Sequence, residues 1–217
     1  MTDKTIKLDI FSDPICPWCY IGKTNLDRAL AAAQSHPFVI EWHPFQLNPD
    51  MPPQGVDRRE YLENKFGGQK GAVRAYTPVV EQAKTAGLSI NFEGMERTPN
   101  TMNAHRLIHW AGIEGKQNQA VDALFKAYFV EARDIGDSEV LADIADGIGM
   151  DAAVVAKLLA SDADLNDIRD RDAHSRKMGI SSVPTFIVGG QHAVPGAQPP
   201  ELWQRVIDDL AEQLAEQ

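Results

Sequence analysis

Cysteine is scarce in this sequence of 217 residues, which contains only Cys16 and Cys19. A structural disulfide framework would need more cysteines, spread along the chain. A zinc site built on this pair would need two further ligands from elsewhere in the sequence. Two cysteines that stand close together and alone therefore indicate chemistry rather than cross-linking.

Clustered positive charge and long apolar runs are also missing. The net charge is -10, from 21 basic and 31 acidic residues, and the basic residues are scattered. Nucleic acids and anionic membrane surfaces select clustered basic residues, so we expect neither partner. No stretch approaches the ~20 apolar residues of a membrane span, and the first residues lack the apolar core of a signal peptide. We expect a cytoplasmic protein, as a monomer or a homodimer.

Alternating apolar residues predict strands near both ends of the chain. The predicted strands cover residues 6–11, 38–45, 185–188 and 191–194, the last two joined by a Gly-Gly hairpin turn. The first two strands flank a helix that begins at Pro17, which implies a parallel pair with a right-handed crossover. The closing hairpin adds antiparallel strands, so the sequence predicts a mixed sheet with helices on both faces.

The long middle of the chain has helical periodicity. We predict helices near residues 58–66, 71–87, 101–113, 116–132, 138–147, 151–160 and 162–178, and a last helix that carries Leu202, Val206, Leu210 and Leu214 in one row. This helical block lies between the two halves of the predicted sheet.

The segment Cys16-Pro17-Trp18-Cys19 opens the first predicted helix. Proline is favoured at a first helical position, which puts the Cys16 sulfur before unpaired backbone N–H groups and the positive end of the helix dipole. Both favour the thiolate, the form that attacks disulfides. Cys19 lies one turn deeper and can resolve a mixed disulfide. We therefore predict dithiol exchange, with Cys16 as the solvent-accessible nucleophile and Cys19 as the buried resolving thiol.

Two alternatives to exchange remain open at this point. His105 and His109 stand four positions apart on a predicted helix and could complete a zinc site with the cysteines. We favour redox chemistry and no metal, because that helix is distant in the sequence and Pro-Trp fits redox motifs. A non-catalytic binding or chaperone module would not need this cysteine arrangement.

Four segments together carry a family resemblance: residues 12–22, residues 104–107, residues 183–186 and residues 196–198. Through them the chain resembles the DsbA-like branch of the thioredoxin superfamily, and within it the cytoplasmic FrnE-like group. The resemblance implies an α/β protein, a thioredoxin fold with a large all-helical insertion. We assign residues 1–53 and 179–217 to the thioredoxin-like domain and residues 54–178 to the inserted helical domain.

The same resemblance implies an activity, thiol–disulfide oxidoreduction on a disulfide-containing protein or a small thiol. The resemblance implies no cofactor beyond a redox-active disulfide, and it allows glutathione as a co-substrate. Trp18 stands where the best-known periplasmic members carry histidine, which implies a weaker oxidant. Glutathione-dependent isomerases and kappa-class transferases share the fold and usually carry serine at the first catalytic position, so they form the alternative enzyme class.

Local sequence alone favours a trans bond before Pro184, but the resemblance implies a cis bond. The Val183 backbone would then hold a substrate chain beside Cys16.

Five further residues are candidates for the site. Asp9 would be a buried proton acceptor behind Cys19, because related proteins carry an acid on this strand; the alternative is a solvated strand residue. Phe45 and Asn48, which follow the second strand, would rim the active site; otherwise they are a strand end and a turn residue. Asn103 and His105 would line the inner surface of a helical block that folds over the active-site face, the alternative being helix surface.

Overall fold

The computed structural model describes residues 5–215, which form a mixed β-sheet surrounded by helices. The strands in chain order are β1 (Ile6–Ser12), β2 (Phe38–Pro44), β3 (Val56–Asp57), β4 (Arg97–Thr98), β5 (Thr185–Val188) and β6 (His192–Pro195). The helices are α1 (Pro17–Ala32), α2 (Arg58–Phe66), α3 (Gln69–Thr85), α4 (Met102–Ile113), α5 (Gln117–Phe129), α6 (Ser138–Gly147), α7 (Ala152–Leu159), α8 (Leu165–Lys177) and α9 (Pro200–Ala215).

The main sheet has the strand order β2-β1-β5-β6. Strands β1 and β2 are parallel, with Leu8 opposite Ile40, and α1 supplies the crossover between them. Strand β5 runs antiparallel to β1, with Leu8 opposite Val188, and β6 completes the hairpin. This arrangement confirms the predicted mixed sheet.

Helices α2 to α8 lie between β2 and β5 in the chain, as the sequence predicted. This insertion is helical apart from the two-residue strands β3 and β4, which pair with each other. Helix α5 ends three residues before its predicted end, shortly before Ala132, which has a φ of 55°. Helix α8 begins three residues late because Asp164, with a φ of 57°, precedes it. A left-handed residue cannot continue an α-helix, and periodicity does not reveal it.

The side chains of strand β1 alternate between the two faces of the sheet. Leu8 and Ile10 are completely buried on one face, in the main core that also contains Phe186 and Trp203. Phe11 points to the other face, where it packs with Phe45 and Ile180. Because side chains alternate along a strand, Asp9 shares the face of Phe11, whereas Ser12 shares the face of Ile10.

The helices that flank the sheet are too short or too polar to cross a bilayer, and this holds for every helix within residues 5–215.

Candidate active site

The two cysteines lie where β1 turns into α1. Cys16 is the N-cap of α1, with extended backbone angles (φ -86°, ψ 113°), and Pro17 follows as the first helical residue. The Cys16 N–H donates to the Asp13 carbonyl at 2.9 Å, and the Cys19 N–H donates to the Cys16 carbonyl at 3.0 Å. Both cysteines are free thiols. The turn therefore places Cys16 before the helix and Cys19 inside its first turn.

The two thiols differ in their neighbours more than in their exposure. Cys16 is 3% exposed and Cys19 is 1% exposed, so the prediction of a solvent-accessible Cys16 is wrong. The cause is the segment before β5: the Cys16 thiol lies 3.7 Å from the Val183 carbonyl, to which it donates.

Burial dominates the chemistry of Cys19. Burial raises the pKa of the Cys19 thiol well above its ordinary value, and the adjacent Cys16 thiol raises it further. Hydrogen bonds from the Ser12 hydroxyl and from the Asp13 backbone oppose this shift. Cys19 is thus a protonated thiol, which must lose its proton before it can attack a disulfide.

The Val183–Pro184 peptide bond is cis, as the resemblance implied. Helix α1 comes very close to Pro184 at Gly22. A Cβ atom on Gly22 would lie 3.0 Å from Pro184 Cγ and 3.3 Å from Ala197 Cα. Glycine at this position therefore allows the dithiol helix to approach the proline loop.

Trp18 connects the dithiol turn to the inserted helices. It is half-buried and packs against the small cluster that Ile21 of α1 forms with Val79 and Ala83 of α3. The inserted helices thus reach the flank of the Cys-Pro-Trp-Cys turn, which supports their predicted role as a wall of the site.

Asp9 does not lie behind Cys19, so that prediction is wrong. Its carboxylate lies 2.8 Å from the Lys7 ammonium and 2.6 Å from His43 Nε2. Cys19 instead contacts Ser12, whose side chain lies on the other face of the sheet. Asp9 and Ser12 are three positions apart on β1, and because this number is odd their side chains point to opposite faces of the sheet.

Asp13 is the buried carboxyl that the sequence reading missed. It has no exposed surface, and it accepts N–H groups from Leu47 at 2.6 Å and from Ile15 at 3.3 Å. Burial raises its pKa to about 7, although these hydrogen bonds lower it. The available signal is an aspartate placed between the first strand and the Cys-Pro-Trp-Cys motif.

His105 is buried behind the active-site turn and does not line a substrate wall. Its side chain is 3% exposed, because α4 directs it toward Asp13, with Nε2 at 3.9 Å from Asp13 Oδ1. Burial lowers the pKa of His105 to about 4, so the imidazole is neutral. The prediction that His105 contacts substrate is therefore wrong.

Phe45 cannot rim the site either, since it is only 2% exposed. It packs in the cluster with Phe11 and Ile180, and the Arg176 guanidinium lies 4.1 Å from the centre of its ring. Strand pairing continues to Pro44, which holds the next side chain against the sheet.

The two asparagines have different surroundings. Asn48 Oδ1 accepts from the Tyr61 hydroxyl at 2.8 Å, while its buried Nδ2 has no hydrogen-bond partner; it stays a predicted substrate contact. Asn103 Oδ1 accepts from Arg106 at 2.9 Å. Arg106 is itself buried against the carbonyl groups that follow α7, so Asn103 has a structural partner.

The proposed zinc ligands are not brought together. His109 Nδ1 lies 3.0 Å from Arg171, a cation that competes with a metal. Across residues 5–215, the group of His, Cys, Asp and Glu side chains that converges is Asp9, Glu41 and His43. It contains neither cysteine, and Lys7 already lies 2.8 Å from both of its carboxylates.

Comparison with known proteins gives a family match along most of the chain. The DSBA-like thioredoxin domain family matches residues 7–208. An uncharacterized protein of Bacillus subtilis, YwbO, is 28% identical over 206 residues, which are 94% of this chain and 97% of that protein.

Three solved structures share the fold. The probable DsbA oxidoreductase SCO1869 of Streptomyces coelicolor has a TM-score of 0.83 and 28% identity, with 94% of this chain and 89% of the other covered. A 2-hydroxychromene-2-carboxylate isomerase has a TM-score of 0.74 and 16% identity, covering 97% and 98%. The cytosolic disulfide reductase DsbM of Pseudomonas aeruginosa, solved with GSH, has a TM-score of 0.68 and 17% identity, covering 95% and 99%.

Proposed function

This chain belongs to the DSBA-like thioredoxin domain family, and on that basis we propose that it is a thiol–disulfide oxidoreductase that acts through the dithiol of Cys16 and Cys19. The observation that carries the proposal is the contrast between the two thiols. Cys16 caps α1 beside the Val183 carbonyl, and Cys19 is a protonated thiol beneath it. In this proposal Cys16 reacts with the substrate and Cys19 completes the exchange.

In the first step the Cys16 thiolate attacks a substrate disulfide. A bond forms between Cys16 Sγ and one substrate sulfur, the substrate disulfide bond breaks, and the second substrate sulfur leaves as a thiolate that takes a proton from water. The attacking sulfur lies at the N-terminus of α1, where the positive end of the helix dipole favours negative charge. The Val183 carbonyl and N–H form the edge along which a substrate chain lies.

In the second step Cys19 attacks Cys16. A Cys16–Cys19 disulfide forms, the mixed disulfide breaks, and the substrate sulfur leaves as a thiolate. The proton of Cys19 goes to Asp13, whose pKa of about 7 suits a group that must accept a proton near neutrality. The substrate gains two electrons and the dithiol loses two, and the reverse sequence oxidises a substrate dithiol.

The finer assignments rest on the same site. We place the protein in the FrnE-like cytoplasmic group. Its proposed substrate is a disulfide-containing protein or a small thiol. We propose no cofactor beyond the dithiol and allow glutathione as a co-substrate. The fold shared with the cytosolic reductase DsbM, solved with GSH, supports this assignment. The domain limits stay a prediction, and the predicted ends at residues 1 and 217 lie outside the described residues.

The main alternative is a glutathione-dependent isomerase or transferase, and the fold shared with an isomerase favours keeping it in the test. Such an enzyme needs no second thiol beneath the first. Cys19 therefore distinguishes the two functions.

The experiment compares the parent protein with Cys16→Ser and Cys19→Ser in reduction of a protein disulfide by glutathione and in oxidation of a dithiol peptide. We expect Cys16→Ser to lose on the order of 1,000-fold or more in turnover, as for loss of a nucleophile. We expect Cys19→Ser to accumulate a mixed disulfide, visible by mass spectrometry. Full turnover by Cys19→Ser, with Cys16→Ser inactive, would assign the protein to the glutathione-dependent class.

A further inference from the structure

His105 carries a buried nitrogen without a hydrogen-bond partner. Within residues 5–215, the buried side-chain atoms in this condition are Asn48 Nδ2, Thr98 Oγ1, His105 Nε2 and Trp203 Nε1. An unpaired buried polar atom destabilises the fold, so each one needs an explanation. His105 Nε2 differs from the other three because a carboxylate oxygen, Asp13 Oδ1, lies 3.9 Å away.

A small cavity lies beside the His105 side chain, and it is lined by both sequence neighbours of Asp13. Its volume is about 10 Å³, and Ser12, Pro14 and His105 contribute to its lining. This volume is at the lower limit for one water molecule, and a buried water needs polar partners. The Ser12 hydroxyl, which also contacts Cys19, and His105 Nε2 supply such partners.

The Asp13 carboxylate has a place for one more donor. Oδ2 accepts the Leu47 N–H at 2.6 Å, Oδ1 accepts a longer bond from Ile15, at 3.3 Å, and the Thr101 side chain is a third donor to the carboxyl. A carboxylate offers about four acceptor sites, so one remains. His105 Nε2 approaches the Oδ1 side. Because the imidazole is neutral, its Nε2–H can donate there without adding a buried charge.

We propose that His105 is a positioning residue for Asp13: it donates a hydrogen bond from Nε2 to the Asp13 carboxylate, directly or through one water in the adjacent cavity, and so keeps Asp13 ready to accept the proton of Cys19. This inference rests on the proposed function and adds a role for the inserted helix α4, which supplies His105. The insertion thereby takes part in the chemistry as well as forming a wall.

The sign of the effect follows from hydrogen bonding. A donor to the charged form of a carboxyl lowers its pKa, so removal of His105 raises the pKa of Asp13. Less Asp13 is then ionised near neutrality, and transfer of the Cys19 proton slows. The charged and titratable groups that act on this carboxyl and on the imidazole belong to α4 and α8. His105 Nε2 of α4 lies 3.9 Å from Asp13 Oδ1. From α8, the charge of Asp172 raises the pKa of Asp13, and Asp172 and Arg171 act in opposite directions on the pKa of His105.

The test uses the reaction of the reduced full-length protein with dithiobis(nitrobenzoate). Attack by Cys16 releases one nitrothiobenzoate and leaves the second on Cys16; attack by Cys19 releases that second one. The two release phases thus report the two thiols separately. They are recorded as a function of pH for the parent, for His105→Phe, for His105→Gln, which keeps a donor near the Nε2 position, and for the control His109→Phe on the same helix.

We expect His105→Phe to slow the second phase about tenfold near neutral pH and to shift its pH midpoint upward by about one unit. The first phase should stay within about twofold of the parent, since Cys16 does not depend on Asp13. His105→Gln should restore the parental midpoint, and His109→Phe should not change it. If His105→Phe does not fold, as judged by thermal unfolding, His105→Met takes its place because it also lacks a donor.

An unchanged midpoint in His105→Phe would overturn the inference, even if the second phase slowed equally at every pH, because uniform slowing is a packing effect. A midpoint that stays shifted in His105→Gln would overturn it too. Absence of a second phase in the parent would overturn the proposed exchange function itself, which keeps the two failures distinct.

Discussion

Asp9 lies on β1 and Asp13 follows the end of that strand four residues later, yet their surroundings are opposite. Asp9 is 14% exposed and is paired with Lys7 and His43. Asp13 is completely buried, and its donors are two backbone N–H groups and the Thr101 side chain. The charge of Asp9 is balanced by a lysine across the sheet from the dithiol, whereas Asp13, whose backbone bonds to Cys19, has no lysine or arginine paired with it among residues 5–215. Position relative to the sheet, and not distance along the chain, decides which carboxyl can serve the dithiol.

Among the variants that compare these two carboxyls, Asp13→Asn is expected to have the largest effect. In Asp13→Asn the second release phase of the nitrobenzoate reaction should slow about 100-fold, the lower range for loss of a general base, and should lose its pH dependence near neutrality. The first phase should change little.

Asp9→Asn is the matched control for this experiment, because the same substitution is made four residues earlier, on the other face of the sheet. We expect both of its phases to stay within about twofold of the parent. Equal slowing in the two variants would contradict the contrast between the two carboxyls and return Asp9 to the site.

The next effect concerns stability as a function of pH. The pKa of Asp13 is raised to about 7 from 3.8, so the folded state binds its proton more tightly than the unfolded state does. This stabilisation is complete below the unfolded pKa and is lost as the pH rises to about 7. The complete loss is on the order of 4 kcal/mol.

The contribution of His105 to stability changes with pH in the opposite direction. The pKa of His105 is lowered to about 4 from 6.5, so its contribution to stability is present above the unfolded pKa and is lost as the pH falls through about 4. The two effects partly cancel in the parent protein.

The difference between Asp13→Asn and the parent therefore isolates Asp13. Urea unfolding at about pH 5 and about pH 8 should show the variant as clearly less stable at the lower pH, with the gap reduced by roughly 2–4 kcal/mol at the higher pH. A gap that is the same at both pH values would mean that Asp13 titrates alike in the folded and unfolded states.

A smaller effect tests the packing on the dithiol side. Gly22→Ala would place a Cβ atom 3.0 Å from Pro184 Cγ, and we expect it to cost roughly 1–3 kcal/mol, as overpacking does. Gly147→Ala is the control, since nothing lies within 4 Å of a Cβ at that position. Both variants are compared by thermal unfolding. Equal melting temperatures would show that α1 can move away from the proline loop without cost.

The sequence predicted the parts of this molecule that depend on neighbouring residues. Period-two and helical patterns located the strands and helices, and Pro17 located the start of α1. The surroundings of the site depend on residues far apart in the chain. The Val183 carbonyl that covers Cys16 lies 167 positions away, and the Leu47 N–H that binds Asp13 lies 34 positions away.

Phe45 shows the same limit of local reading. An aromatic residue that follows a strand fits a rim or a core equally well by pattern. In the structure Phe45 packs with Phe11 and Ile180, and the Arg176 guanidinium lies over its ring. Phe45 is therefore a core residue. Exposure is a property of the assembled fold, so motif spacing could find the dithiol but could not say that Cys16 is covered.

The smallest effect is expected at Lys7, on the Asp9 side of the sheet. Its ammonium lies 2.8 Å from Asp9 and from Glu41, and its side chain is 51% exposed. An exposed ion pair contributes about 0–1 kcal/mol, and salt screens it. Lys7→Ala should therefore reduce the free energy of unfolding by no more than about 1 kcal/mol. Urea unfolding at low and high salt measures this, and the difference from the parent should shrink as salt is added. In the nitrobenzoate reaction of Lys7→Ala, both release phases should stay at parental rates, because the change is confined to the face of the sheet away from Cys19. A slowed second phase in Lys7→Ala would show that the two faces of β1 are coupled, and the contrast between Asp9 and Asp13 would then lose its basis.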